Sequence, residues 1–271
     1  CGGISTVLLA LVQSGKFCAS YLLSELDPVA RDIGEHIIGR LLRQFPGQFR
    51  PGFRSRQHLC PDDISLLTRD VVLSFGRIDL FVAAWPCTDL SRANRGGEGL
   101  EGSRSGLFFV VWQIWGWVRE LNPHCHFLFE NVVFDRSHPD AWDLVNGVVG
   151  APLCIDAARV GYAHRYRAFW SSFLSISDIP DVDFSRNLAD VLDADHRPRR
   201  ALYTDRFPFA RCNQAGFRMC RYVTVVRRWD TYSIRDGAGL VEVCSSPGTF
   251  VRPTSEELEL ICGFQRGDTL S

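Results

Sequence analysis

Two short stretches of this sequence put reactive side chains where chemistry is usually done. Cys87 follows Pro86 at the end of the apolar run from Ile78 to Trp85, and Glu130 opens an E-N-V triplet at the end of a second apolar run, His126 to Val132. A thiolate is a strong nucleophile that adds covalently to an electron-poor carbon. A carboxyl group can give or hold a proton as charge develops on the acceptor. Each residue alone has a bland reading, since a cysteine after a strand is most often a small buried hydrophobe and a strand-end glutamate a solvated charge. The pairing of the two is what points to covalent chemistry.

The elements that must position this pair follow from the hydrophobic pattern. Short apolar runs alternate with amphipathic stretches in the first half, the signature of βα units and a mostly parallel sheet in an α/β fold. Tyr21 to Leu26 reads as a strand. Pro28 to Phe45 reads as a helix, with Asp27 as its cap, Pro28 at its first position and Ile33, Ile37, Leu41 and Leu42 on one face. A Pro/Gly/Arg loop, Pro46 to Gln57, comes next. A short helix from Ile64 to Leu73 leads into the run Ile78 to Trp85, continuous apart from Asp79, as expected of a central parallel strand. The loop from Thr88 to Ser105 is rich in Gly, Arg, Ser and Asn, and precedes an aromatic helix, Gly106 to Leu121, and the strand His126 to Val132. Ligands of open α/β sheets sit beyond the carboxyl ends of the strands, so Pro86, Cys87, Glu130 and Asn131 fall on the functional rim. The pattern loosens after Ser175. The expected organisation is a catalytic segment 1–175, a small irregular lobe 176–222, and a return to the catalytic domain over 223–271.

At this point the residues resemble a known family. W-P-C-T-D-L-S (Trp85 to Ser91), followed by G-L-E-G-S-R-S-G-L-F-F (Gly99 to Phe109), is similar to the catalytic-loop motif of DNA cytosine-5 methyltransferases of the de novo type, found in animals and in related plant enzymes. F-E-N-V at Phe129 to Val132 matches that family's glutamate motif, A-H-R-Y-R-A-F-W at Ala163 to Trp170 its paired-arginine motif, and P-T-S-E-E-L-E-L-I-C-G-F at Pro253 to Phe264 its late helix. The resemblance implies a Rossmann-like S-adenosylmethionine-dependent methyltransferase fold with a small irregular target-recognition lobe. The activity it implies is methyl transfer from S-adenosylmethionine to C5 of a cytosine flipped out of double-stranded DNA.

Carried over residue by residue, Cys87 is then the nucleophile that adds to C6, and Glu130 protonates or holds N3 and the exocyclic amine. Arg165 and Arg167 steady the base and the catalytic loop, with a surface ion pair to Asp156 or Glu120 as the plainer reading of either arginine. Asn131 braces the strand end. Gly2, Gly3, Ile4, Ser5 and Thr6 form the cofactor's glycine loop at a helix start. Glu25 takes the ribose hydroxyls, Asp63 the adenine amine (with Asp62 as the competing choice), and Pro86 lines the same pocket. Ser91, Arg92 and Asn94 in the catalytic loop, with Arg206 and Arg211 in the lobe, are expected at the DNA. Two departures stand out in the glycine loop: Cys1 occupies the place of the family's aromatic, and Ser5 that of its second glycine. The first residue is not methionine, so the chain is expected to be a piece of a longer protein lacking the family's first strand and final motif.

Composition narrows the alternatives. A net charge of −1 argues against a chain that grips nucleic acid over its whole surface, although Lys16 is the only lysine and the remaining cations are arginines, suited to phosphate and guanine edges. No apolar run reaches membrane-spanning length. Ten cysteines with no C-x-x-C pair read as reduced thiols, and His124, Cys125 and His126 lack a second ligand pair at zinc spacing, so no metal is expected. Aromatics at helical spacing, Phe108, Trp112 and Trp115, are usually core; a dimer face pairing catalytic domains is the competing reading. A silent methyltransferase-like regulatory or DNA-binding subunit is the rival from another class, disfavoured because both Cys87 and Glu130 are present. An RNA cytosine-5 methyltransferase is a third, disfavoured by P-C-T-D-L-S. Nuclear residence would follow from the substrate alone.

Overall fold

The computed structural model describes residues 2–53, 55, 59–91, 94, 96–181, 188–198, 210–211, 241–251 and 253–269. The chain divides into two units, Cys1–Leu153 with Ala168–Leu174, and Cys154–Arg167 with Ser175–Leu270. Residues 154–167 and 241–269 therefore group with the region read from sequence as an irregular lobe.

In the first unit the glycine turn runs directly into α1 (Thr6–Gln13). Helix α2 (Pro28–Gln44) starts where its cap dictates: the Asp27 carboxylate accepts from Val29 N–H at 3.0 Å, and Pro28 fills the first turn where no amide is needed. Its buried face carries Gly34, Ile37, Ile38 and Leu41, while α1 buries Leu8, Leu9 and Val12. Between them Tyr21 to Leu26 forms no strand, contrary to the expectation. Apolar residues make a strand only when a neighbouring backbone completes the ladder. Here one backbone bond, Gly2 N–H to Ser24 O at 3.0 Å, ties the segment to the glycine turn.

The helix expected over Ile64 to Leu73 is broken in two. Asp63 caps a single 3₁₀ turn, Ile64–Leu66, and the Thr68 hydroxyl then accepts from Val71 N–H to start α3 (Arg69–Ser74). Two capping side chains five residues apart compete with one continuous helix. Strand β1 (Leu80–Ala84) is followed by α4 (Leu107–Leu121), β2 (His126–Val132) and α5 (Pro139–Val149). β1 and β2 run parallel, with Leu80 opposite His126 and Ala84 opposite Glu130. Beyond them come β3 (Leu153–Asp156), β4 (Ala163–His164) and β5 (Tyr166–Ser171), and the four-stranded sheet has the order β1-β2-β5-β3. Ser172 N–H, just past β5, donates to Phe127 O at the start of β2, so β5 runs against β2 and the sheet is mixed.

Helix α4 lays its aromatic stripe on this sheet. Trp115 stacks on Phe81 with centroids 6.0 Å apart and meets Phe129 edge-on at 6.3 Å, and Phe108 lies 5.1 Å from Trp85. Phe108 and Trp115 are buried within the chain itself, which removes them from the dimer face considered above. Phe134, Trp142 and Trp170 extend the aromatic core beside Trp85.

The second unit is built on its own small core of Val191, Leu192, Val241 and Ile261. β6 (His196–Pro198), β8 (Val241–Val243) and β9 (Phe250–Val251) form an antiparallel sheet, and β4 pairs in parallel with β7 (Ala210–Arg211). The late helix expected from Pro253 to Phe264 is α6 (Ser255–Ile261). It opens on a capping box in which Thr254 Oγ1 accepts from Glu257 N–H and Glu257 accepts from Thr254 N–H. Among the described residues no helix is long and apolar enough to cross a membrane.

Candidate active site

The register of β1 and β2 decides what meets on the rim. Because Ala84 lies opposite Glu130, Trp85, Pro86 and Cys87 leave β1 beside the end of β2. Asn131, buried, donates its amide N–H to Trp85 O at 3.0 Å, and its own Oδ1 accepts from Val132 N–H at 2.8 Å. The expected brace is thus a specific hydrogen bond across the two strand ends. Cys87 is half-buried, and its carbonyl closes a turn by accepting from Leu90 N–H at 3.1 Å. Leu90 is fully buried and its carbonyl accepts from Asp135 N–H at 2.9 Å, which ties the turn to the chain after β2.

Sequence reasoning passed over Asp89 and Ser105, yet they organise the loop after Cys87. The Ser105 hydroxyl, fully buried, donates to Pro86 O at 2.9 Å and accepts from Asp89 N–H at 3.1 Å, while Ser105 N–H donates to Asp89 Oδ2 at 3.3 Å. Gly99 N–H donates to Asp89 O at 3.1 Å. The only signal in the sequence was the density of glycine, Gly97, Gly99 and Gly102, which carries no hint of its partner. Of the residues expected at DNA, Ser91 O accepts from Asn94 N–H at 2.9 Å, and the Asn94 side chain accepts from Gly96 N–H. Both therefore shape a local turn. Arg92 and Arg206 lie outside the described residues, and Arg211 is in β7.

The expected cofactor residues gather at the start of α1. Gly2 has no room for a side chain, because a Cβ would overlap Leu23, and Gly3 has φ 61°. Ile4 and Ser5 complete the turn into Thr6, the first residue of α1, whose first-turn N–H groups receive no side-chain cap, a setting suited to a carboxylate. Glu25 reaches this turn: Oε2 accepts from Gly3 N–H at 2.8 Å and Oε1 from Asp27 N–H at 3.0 Å. Ser5 is fully buried in the left-handed region. Asp62 is held by Arg31 at 2.9 Å, whereas Asp63 is a half-buried cap, its carboxyl kept below the ordinary range by the hydroxyl and N–H of Ser65. The Gly2–Gly3 turn, an uncapped helix start and a carboxylate at its edge fit the polar end of S-adenosylmethionine.

The two arginines belong to the second unit. Arg165 N–H donates to Asp156 Oδ1 at 2.8 Å, and its carbonyl accepts from Ala157 N–H. Arg167 is buried, and its Nη1 donates to Tyr166 O at 2.9 Å. Glu120, one of the ion-pair partners considered for them, pairs with Arg69 at 2.5 Å. The same unit holds the one group of three potential metal ligands among the described residues, Asp193, His196 and Glu257. Glu257 Oε1 accepts from Asp193 N–H and meets His196 Nδ1 at 2.7 Å, and Oε2 accepts from Thr254 N–H.

Residues 54–144 match the family model described as C-5 cytosine-specific DNA methylase, a span that includes both Cys87 and Glu130. The chain is 30% identical over 165 residues to Type II methyltransferase M2.BsuMI of Bacillus subtilis (strain 168), covering 61% of this chain and 34% of that protein. It thus spans about a third of the length of that curated relative. Among solved structures, Entamoeba histolytica methyltransferase EhMeth aligns over 92% of this chain and 78% of its own, with 11% identity and a TM-score of 0.46. A prophage-encoded candidate DNA modification methyltransferase from E. coli aligns over 75% and 60%, with 19% identity and a TM-score of 0.42. The mixed sheet with flanking helices, together with the family match, is consistent with the α/β fold of S-adenosylmethionine-dependent methyltransferases.

Proposed function

We propose that this chain is the catalytic part of a DNA cytosine-5 methyltransferase, with Cys87 as its nucleophile. The observation that carries the reading is the strand register that puts Cys87 and Glu130 at the carboxyl ends of two adjacent parallel strands, inside the stretch matching the family model. C5 of cytosine is too weakly nucleophilic to be alkylated directly. Addition of the Cys87 thiolate to C6 of a flipped base moves electron density to C5, while Glu130 delivers a proton to N3 so that no full negative charge builds on the ring. After methylation, loss of the C5 proton expels the thiolate and restores the aromatic ring. S-adenosylmethionine, held by Gly2 to Thr6 with Glu25 and Asp63, supplies the electrophilic methyl group when bound. Asn131 keeps the Cys87 turn against the end of β2, and Arg165 and Arg167 are assigned to steady the base and loop. The de novo type, and with it residence in a nucleus and a part in epigenetic regulation, rests on the catalytic-loop motif Trp85 to Phe109.

The test is covalent trapping. Incubation with S-adenosylmethionine and a duplex containing 5-fluorocytosine leaves an adduct that cannot lose fluorine and survives denaturation. Wild type should form it and Cys87→Ala should not, while Glu130→Gln should slow it about 100-fold or more with duplex binding retained. A folded, DNA-bound wild type that forms no adduct would favour the silent subunit, for which the distorted, side-chain-bearing turn at Ser5 gives a physical basis.

A further inference from the structure

We propose that Asp89 and Ser105 form a clamp that positions Cys87, resting on the reading of Cys87 as nucleophile. Three consecutive carbonyls surround the thiol's backbone, and each accepts a hydrogen bond: Trp85 O from the Asn131 amide at 3.0 Å, Pro86 O from the Ser105 hydroxyl at 2.9 Å, and Cys87 O from Leu90 N–H at 3.1 Å. The first bond comes from β2 and the third from within the turn. The second comes from the far end of the loop, sixteen residues beyond Asp89.

That long-range bond depends on Asp89. Its N–H donates to Ser105 Oγ and so orients the hydroxyl toward Pro86, its carboxylate receives Ser105 N–H, and its carbonyl receives Gly99 N–H. The glycines around it are explained by the same contact. A Cβ on Gly102 would overlap the Asp89 carboxylate, one on Gly97 would overlap its carbonyl, and Gly99 adopts φ 64°. The loop thus closes on its own base before entering α4, with the Pro86–Cys87 turn held from both sides. None of these polar groups needs to touch a substrate. Their effect runs through the direction of the Cys87 side chain, and misplacing a reacting atom by about 1 Å can cost about 100-fold in rate.

The experiment compares wild type with Ser105→Ala, Asp89→Ala and Asp89→Asn in the full chain. Two quantities are read: steady-state methyl transfer to duplex DNA, and alkylation of Cys87 by iodoacetamide from pH 6 to 10, followed by peptide mass spectrometry with exposed Cys244 as internal standard. The two alanine variants should lose about 10- to 100-fold in kcat with KM for the duplex within about 2-fold, and Asp89→Asn, which keeps an acceptor oxygen, should recover most of the loss. Cys87 should alkylate several-fold faster in the alanine variants, with an altered pH profile, while Cys244 stays unchanged. A Cys87 profile identical to wild type in variants that melt normally overturns the clamp. Should the alanine variants melt early, Gly102→Ala decides the question, since it keeps both residues and displaces the Asp89 side chain. The alkylation arm reads the clamp even in a protein that transfers no methyl group, so the failure of the catalytic reading and the failure of the clamp are distinguishable.

Discussion

Ser5 sits at φ 62° and ψ 25°, the only residue other than glycine with positive φ among those described, and it is fully buried. That backbone is costly, because a non-glycine residue in the left-handed region costs about 1–3 kcal/mol. Ser5→Gly should therefore raise stability by about 1 kcal/mol or more in a urea titration, and a lower midpoint would show that the side chain contributes packing that outweighs the strain. Gly34 is the complementary residue, because a Cβ there would come within 2.8 Å of Ser5 Oγ. The sequence already marked Ser5 as a place where glycine was expected, and the backbone gives the reason. The placement of Cys87, Glu130 and Asn131 at strand ends was likewise legible, because each lies at the end of an apolar run. Asp89 and Ser105 were not, because a serine and an aspartate in a glycine-rich loop carry no periodicity, and their meaning lies in a contact across sixteen residues.

At the level of elements, a buried side chain helps to join β1 and β2 above their last ladder pair. Asn131 bonds Trp85 O from a buried position, so Asn131→Ala strands a buried carbonyl and should cost about 1–3 kcal/mol. Asn131→Asp should be worse, because a carboxylate cannot donate to Trp85 O and adds a buried charge. Melting curves that rank aspartate equal to or above alanine would mean the amide bond is not what joins the strand ends. Elements whose signals are local were readable in advance: α2 through Asp27 and Pro28, α4 through its aromatic spacing, and β1 and β2 through continuous apolar runs. Tyr21 to Leu26 failed as a strand because ladder formation depends on a neighbour that the segment's own residues do not specify. The helix through Ile64 to Leu73 failed because Thr68 competes for the backbone in its middle.

For the molecule as a whole, the unusual feature is how its acids and bases divide across the pH scale. Lys16 is the only lysine, and the other side-chain cations are arginines that hold their charge beyond pH 12. Among the described residues, the groups between pH 9 and 12 with a clear shift on folding are thiols and a phenol. Burial pushes Cys60 up to about 11, and burial with the Asp79 charge does the same for Cys125, against an ordinary value of 9.0, while burial takes Tyr21 up to about 12 from 10.0. Cys18 and Cys154 are raised by burial as well. The sign follows from linkage: an acid whose pKa rises on folding keeps its proton longer in the folded chain, so its contribution is fully present below the unfolded value and is lost as pH climbs through the folded one. Stability should be level up to about pH 8.5 and fall from there toward pH 12, mainly in the first unit, which holds Cys60, Cys125 and Tyr21. Urea midpoints at pH 8 and pH 10.5 check this in wild type and in a Cys60→Ala, Cys125→Ala variant. The variant starts lower for lack of two packed side chains but should lose less between the two pH values. Equal losses would mean that Cys60 and Cys125 are already wet enough to ionise in the folded chain, and that alkaline unfolding has another source.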